Sequence, residues 1–373
     1  MSLSASSSSR WLRTSAGATS LAYLMMGALG IVAGSLNDRF GPRIVMTVTG
    51  IVCGIGYFLL SQLNSAWQLY VFYGFVVGIG LSSADVIPLT VTARWFVRRR
   101  GMVTGLIKVS TGSGQLVMPL LAGAFIMSYG WRFAFICLGI VALIVLIGSG
   151  QLLRRDPGRK GNLLDGHHKP VQAQMSAPEG GLSLREAART PQLWMLCIII
   201  FLVMNCLLTI LMHVVPHASD LGLDPIKAAG VVSTVGGVSM FGRLLTGLLV
   251  DRIGTRESMA ICFILLIVGF LWLQVAREAW MLYLFAAIYG MAHGSFFTLI
   301  SPTVARLFGI DSHGVLLGIV LFSGNLGGAI GPVVAGYIFD LTRSYQLVFL
   351  LLAAVCSVAL MLTPFLKPAV QKS

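Results

Sequence analysis

The chain has 373 residues, of which 56% are hydrophobic and only 10% charged, with a mean hydropathy of +0.87. So little charge cannot cover a soluble domain, so lipid is the solvent for most side chains. The apolar runs are continuous rather than alternating, which excludes a β-barrel and leaves an all-α, polytopic bundle of membrane helices.

Residues 1–15, MSLSASSSSRWLRTS, are Ser-rich and lack the apolar stretch of a signal peptide. They are expected to form a polar extracytoplasmic loop. Apolar spans follow at about 16–37, 44–62, 66–92, 101–127, 133–153, 191–214, 228–250, 259–276, 281–303, 315–338 and 346–366, each long enough to cross roughly 30 Å of hydrocarbon at about 1.5 Å per residue. Residues 16–153 and 191–366 thus read as two helix bundles. The stretch 154–190 between them is long, polar and basic and reads as a linker, in which Leu184 to Ala188 is expected to form a short surface helix. Its adjacent His167 and His168 read as ordinary linker residues rather than metal ligands. Residues 367–373 form a tail. The six cysteines, Cys53, Cys137, Cys197, Cys206, Cys262 and Cys356, all fall within apolar spans and are expected to be unpaired.

One stretch organises the chain. Gly34 to Arg43 reads G-S-L-N-D-R-F-G-P-R, and Gly247 to Arg256 reads G-L-L-V-D-R-I-G-T-R, with every matching residue 213 apart. Pro119 to Gly123 matches Pro332 to Gly336 at the same offset, and Gly114 matches Gly327. The offset drifts elsewhere: Tyr73-Gly74 is aligned with Tyr289-Gly290 at 216 and Ala93-Arg94 with Ala305-Arg306 at 212. The chain is therefore duplicated as a parallel repeat. Subtracting 213 from the span 191–214 gives positions before residue 1, so the halves count as five helices plus six, the first half lacking its first helix.

If the motif loops are cytoplasmic, 18 of the 26 Lys and Arg lie in the segments on that side. Arg10, Arg13, Arg132, Lys227, Arg277 and Arg343 lie opposite, and Lys108 and Arg243 lie within spans. That is the positive-inside pattern. It assigns the net charge of +13 to a membrane face and removes nucleic acid as a partner. The bilayer is the expected partner, with a bacterial inner (plasma) membrane as the expected location.

The repeated G-x-L-x-D-R-x-G-x-R resembles the signature loop of the major facilitator superfamily of secondary transporters. The resemblance implies that Gly34, Asp38, Arg39, Gly41 and Arg43, with Gly247, Asp251, Arg252, Gly254 and Arg256, form gating loops. In them the aspartate clamps a neighbouring helix end in one state and releases it in the other. Gly41 and Gly254 suit the tight turns, and a carboxylate near a helix N-terminus is favourable by about 0.3–1 kcal/mol when exposed. The small-residue segments G-L-I-K-V-S-T-G-S-G-Q-L-V-M-P and S-G-N-L-G-G-A-I-G-P suit close helix packing.

Three ionisable residues lie at one depth within the spans. Asp85 precedes Arg94 by nine residues, Lys108 follows Arg100 by eight, and Arg243 precedes Asp251 by eight, which puts each about 12 Å from its helix end. An ionisable group at that depth is costly without a partner or water, so each is a functional candidate. Two cations and one carboxylate leave a positive charge over, which suits an anionic substrate; alternatively Asp85 and Lys108 neutralise one another and Arg243 snorkels to the inner face. His213 and His217 lie near the outer end of their span, where lining the entrance and a structural role are both open.

The segments A-R-W-F-V-R-R-R-G-M-V-T-G-L, G-W-R-F-A-F and H-V-V-P-H-A-S-D-L-G-L-D-P-I-K-A-A-G resemble the monocarboxylate transporter branch and its oxalate/formate antiporter relatives. That resemblance implies that Arg243 holds the substrate carboxylate, which a guanidinium fork fits well, with Lys108, Asn325 and His293 as further substrate-binding candidates. Asp85 and His293 are the candidates for proton coupling. Ser239 stands where animal members carry an aspartate, and Phe322, Ser323 and Asn325 stand where oxalate members carry a lysine, so a monocarboxylate is favoured over oxalate.

The expected function is alternating-access transport of a small organic anion, coupled to protons or by exchange. Efflux of drug-like or amphipathic solutes, or a non-transporting paralogue acting as sensor or partner, are the alternatives. No G-x-x-x-x-G-K, metal-ligand cluster or polar catalytic domain is found, so neither an enzyme nor a cofactor is expected.

Overall fold

The structure, a computed structural model, describes residues 2–96, 99–154 and 181–368. The expectations for 155–180, His167 and His168 among them, and for the end of the tail lie outside these residues. The first repeat forms α1 (Ser2–Phe40), α2 (Pro42–Ser61), α3 (Ala66–Trp95), α4 (Arg100–Tyr129) and α5 (Trp131–Leu152). A short helix α6 (Leu184–Ala188) follows, and the second repeat forms α7 (Pro191–Asp220), α8 (Pro225–Ile253), α9 (Thr255–Trp272), α10 (Ala279–Phe308), α11 (His313–Thr342) and α12 (Gln346–Leu362). Ten helices among the described residues are long and apolar enough to cross a membrane; the expected span 101–127 is helical as well, within α4.

Two local outcomes contrast. The short helix α6 forms as expected, because Ser183 and Glu186 make a reciprocal capping box around its first turn. Residues 2–15, expected as a loop, are instead helical and continuous with α1. No glycine or proline interrupts them, and serine costs only a few tenths of a kcal/mol in a helix already propagating from an apolar span.

The chain divides into two compact units whose boundaries cut across the repeats. Unit 1 comprises Met1–Val91, Val117–Pro157 and, from the second repeat, Gly314–Phe322. Unit 2 comprises Gly158–His313, Ser323–Ser373 and, from the first repeat, Thr92–Leu116. Each repeat thus lends the start of one helix to the other repeat's unit.

Within unit 1 glycines set the helix spacing. A Cβ at Gly54 would lie 2.4 Å from the Leu143 side chain of α5, and one at Gly80 of α3 would lie 2.4 Å from the Cα of Cys53 on α2. Cys53, Leu60 and Val77 form the buried cluster there. The opposite face of α2, with Ile44, Val48, Ile51, Ile55 and Phe58, is exposed, which is tolerable only where lipid is the solvent. Unit 2 repeats the logic between α8 and α10, where a Cβ at Gly242 would lie 2.3 Å from the Met291 carbonyl oxygen and one at Gly294 would lie 2.0 Å from that of Ser239. All six cysteines are free, and all but the half-buried Cys137 are buried.

The duplication is visible in the backbone. Gly41 and Gly254, the turn glycines of the two motif loops, have φ of 86° and 96°, a region that strains any residue with a Cβ. One alignment changes. Gly78 packs on Ala22 and Met25 of α1, as Gly290 packs on Val235 and Val238 of α8, so Gly78 rather than Gly74 is the partner of Gly290. The offset is therefore 212 from that point, agreeing with Ala93 and Ala305. The one extra residue of the first repeat is absorbed where α3 widens to a π-type turn at Tyr70–Val77.

Gly242→Ala should lower the midpoint of thermal unfolding, by the equivalent of about 1–3 kcal/mol for an overpacked backbone contact. Gly123→Ala, where nothing lies within 4 Å of the new methyl, should leave it unchanged or slightly raised; tryptophan fluorescence in detergent reads both.

Candidate functional site

Each motif loop places a carboxylate over the start of a helix, and in the second loop it is bonded there as a clamp. In unit 2, Asp251 at the end of α8 accepts hydrogen bonds from the backbone N–H groups of Gly101 (2.8 Å) and Met102 (2.9 Å) in the first turn of α4. These groups have no acceptor within their own helix, and a carboxylate satisfies both their geometry and the positive end of the helix dipole. Glycines permit the approach: a Cβ at Gly247 would lie 2.8 Å from the Gly101 carbonyl oxygen. In unit 1 the backbone approach recurs at the offset of 213, but the carboxylate there is bonded differently, since the buried Asp38 Oδ2 accepts no hydrogen bond among the described residues. Asp38 lies over the start of α11, where a Cβ at Gly314 would lie 2.9 Å and 3.0 Å from its two oxygens, and a Cβ at Gly34 would lie 2.2 Å from the Gly314 carbonyl oxygen.

The remaining loop residues differ in role. Arg39 is exposed, with its guanidinium 5.3 Å from the Phe40 ring centroid. The Arg43 Nε donates to the Leu153 carbonyl at 3.2 Å, which ties the first loop to the end of α5. Arg252 is exposed and Arg256 half-buried.

Two helical turns deeper on the same helix pair, Arg243 and Lys108 meet in unit 2. Both are buried, at 2% and 3% exposure. The Arg243 Nη1 donates to the Lys108 carbonyl, and its head occupies space left by Gly112, where a Cβ would lie 2.7 Å from Nη1. The Lys108 Nζ lies 5.9 Å from the ring centroid of Phe297 on α10, a cation–π distance. That ring packs edge-on against His293 at 5.1 Å, and His293 faces Tyr289 on its other side at 5.8 Å. His293 is 5% exposed and its Nδ1 has no hydrogen-bond partner among the described residues. Three of the sequence candidates, Arg243, Lys108 and His293, thus share one buried cluster.

The other candidates are placed differently. Asn325 is half-buried on α11 in unit 2, one residue beyond Gly324, which packs on Ile200 and Met204. Asp85 is half-buried on α3 and belongs to unit 1. The repeat offsets put Gly30 at the position of Arg243, Leu321 at that of Lys108 and Asp85 at that of Phe297. The cation pair therefore has no counterpart in unit 1. His213 bonds Tyr345 Oη at 3.2 Å and the Pro332 carbonyl at 3.0 Å, and His217 packs on Tyr345 and Phe349. Both histidines stitch α7 to α11 and α12.

Sequence reasoning missed Phe297 and Gly112, one an ordinary core aromatic and the other an ordinary small residue by pattern. It also missed His313, fully buried at the start of α11 with its Nε2 3.2 Å from the Ser301 carbonyl oxygen. Its place directly before Gly314, which is 213 residues from Gly101, was the available signal.

The family model described as Major Facilitator Superfamily matches residues 3–273 and 233–373. Among curated proteins, Monocarboxylate transporter 2 of Homo sapiens is 25% identical over 355 residues, covering 90% of this chain and 74% of its own. The Agnestins efflux protein of Paecilomyces divaricatus is 25% identical over 319 residues, covering 85% and 69%. Among solved structures, the human organic anion transporter MFSD10 superposes with a TM-score of 0.73 at 16% identity, covering 94% of this chain and 83% of that one. The proton:xylose symporter XylE gives 0.75 at 16% identity, covering 97% and 87%. At these identities the structural likeness concerns the fold alone.

Asp251→Ala removes the shared acceptor of Gly101 and Met102. It should destabilise the start of α4 by about 0.5–2 kcal/mol, the usual worth of a helix cap, seen as a lowered unfolding midpoint, whereas Arg252→Ala on the exposed side of the loop should change little.

Proposed function

The chain belongs to the Major Facilitator Superfamily and is a multi-pass membrane transporter rather than an enzyme; on that premise we propose that it moves small organic anions, monocarboxylates first among them, by alternating access. The observation that supports the anion is the pair Arg243 and Lys108, buried together on facing turns of α8 and α4. Two cations at membrane depth repel one another and lose hydration, so an anion beside them is favoured. Arg243 would take the carboxylate through its guanidinium fork, with Lys108 beside it, Asn325 as a further contact and Phe297 as an apolar wall. A relative whose name is Monocarboxylate transporter 2 supports the same class.

In this reading the gating machinery is the pair of carboxylate clamps. Asp251 and Arg243 lie on one helix, α8, and both touch α4, at Gly101 and at Lys108. A substrate that drew the Arg243 head away from the Lys108 carbonyl would remove one of the hydrogen bonds that hold α4 to α8 and so weaken the hold on the clamp at Asp251. Asp38 would act likewise on α11. Protons are the candidate coupling ion, carried by Asp85 or His293, which gains support from its buried and unpartnered Nδ1.

A second reading is export of larger amphipathic solutes, favoured by the relative named as an Agnestins efflux protein. The two readings separate at Arg243. For anion transport, Arg243→Ala abolishes counterflow of labelled monocarboxylates in proteoliposomes while membrane insertion and folding persist, and Arg243→Lys retains a small fraction. Uptake at the wild-type rate in Arg243→Ala would remove the anion reading.

A further inference from the structure

The two repeats differ at one end of unit 2 in a way that the transport site does not use. In the first repeat, Arg43 donates to the Leu153 carbonyl that closes α5. The residues equivalent at 213 are Arg256 and Leu366. There the chain leaves α12 through a tight turn at Thr363–Phe365, and Arg256 makes no hydrogen bond or ion pair among the described residues. A cleft of about 70 Å³ opens instead, lined by Thr255, Arg256, Met259, Arg306, Leu366 and Lys367.

The cleft gathers three cations at one spot. Arg306 is held toward it by its Nη1 bond to Thr255 Oγ1 at 3.3 Å. One carboxylate, the exposed Glu257, stands beside Arg306, with Glu257 Oε2 and Arg306 Nη1 lying 2.8 Å and 2.7 Å from where a Cβ on Gly254 would be, which leaves the three cations in excess. The first turn of α9 opens onto the same cleft at Thr255, with no side chain capping it at Gly254. A half-buried arginine without a partner among the described residues, two further cations and an uncapped helix start make a site for an anion rich in oxygens.

We propose that this cleft binds a phosphate-type oxyanion at the end of unit 2 that carries the second motif loop. A cleft of that volume has room for a phosphate group. A phospholipid headgroup and free inorganic phosphate share this chemistry, and the site lies at a helix end, where either can reach it. The inference stands apart from the anion-transport reading, since no residue of the Arg243 cluster takes part.

The test uses the full chain purified in dodecyl maltoside. Its unfolding midpoint is measured against inorganic phosphate at constant ionic strength held with sodium chloride, and separately in micelles doped with phosphatidylglycerol or with phosphatidylcholine. A saturable rise with inorganic phosphate supports the site and a soluble source, and a rise with phosphatidylglycerol but not phosphatidylcholine supports the site and a lipid source. In either case Arg256→Gln and Lys367→Gln should each raise the half-saturating concentration at least tenfold, whereas Arg43→Gln should not. Lys367 lies past the last helix, so its variant remains informative if Arg256→Gln fails to fold. No rise with either probe, or an unchanged half-saturation in Lys367→Gln, overturns the proposal.

Discussion

The interaction on which the rest depends is a carboxylate on the open end of a helix. Asp251 satisfies two N–H groups of α4 that have no acceptor of their own, and it can do so only because Gly101 and Gly247 let α4 and α8 touch along their backbones. The same close backbone approach, at Gly34 and Gly314 with Asp38 beside them, sets α11 against α1. These contacts explain why the compact units do not follow the duplication: each clamp draws the start of a helix out of its own repeat. A bond between an exposed carboxylate and a helix start is modest in strength, about a kcal/mol. That suits the proposed role of a contact that forms and breaks in each transport cycle.

Duplication supplied the frame and divergence supplied the chemistry. At one level the repeats carry Arg243, Lys108 and Phe297 in one unit and Gly30, Leu321 and Asp85 at the equivalent positions. The packing is conserved between them, since Gly105 meets the Arg243 backbone as Gly318 meets that of Gly30. A frame held by backbone and glycine contacts leaves the side chains beside it free to differ. The cations thereby gather in unit 2 while a carboxylate stands in unit 1. The cleft at Arg256 follows the same pattern at the helix ends, where the chain turns after α12 and the arginine whose equivalent is tied down has no hydrogen bond or ion pair among the described residues.

Much of this was legible in the sequence. The 213-residue ruler, the turn glycines Gly41 and Gly254, the helix Leu184 to Ala188 and the depth shared by Lys108 and Arg243 all rest on spacing or local backbone chemistry, which tertiary context does not alter. What failed was of another kind. Residues 2–15 look like a loop by composition, yet serine is no barrier to a helix that an apolar span is already propagating. The pairing of Gly74 with Gly290 matched letters across a π-type turn that only the backbone reveals. The partners of Lys108 and Arg243 were hidden because membrane helices are apolar on every face: nothing in the pattern distinguishes Phe297, which sits under an ammonium, from Phe58, which faces lipid.

The central claim is that substrate site and clamp act through one helix pair, α4 and α8. Hydrogen exchange at the Gly101 and Met102 amides in proteoliposomes, with and without saturating lactate or pyruvate, tests it most directly. The account predicts faster exchange when the anion is present and no change in Arg243→Ala. Exchange at these amides that ignores the anion in the wild-type protein, while labelled anion is still transported, would contradict it.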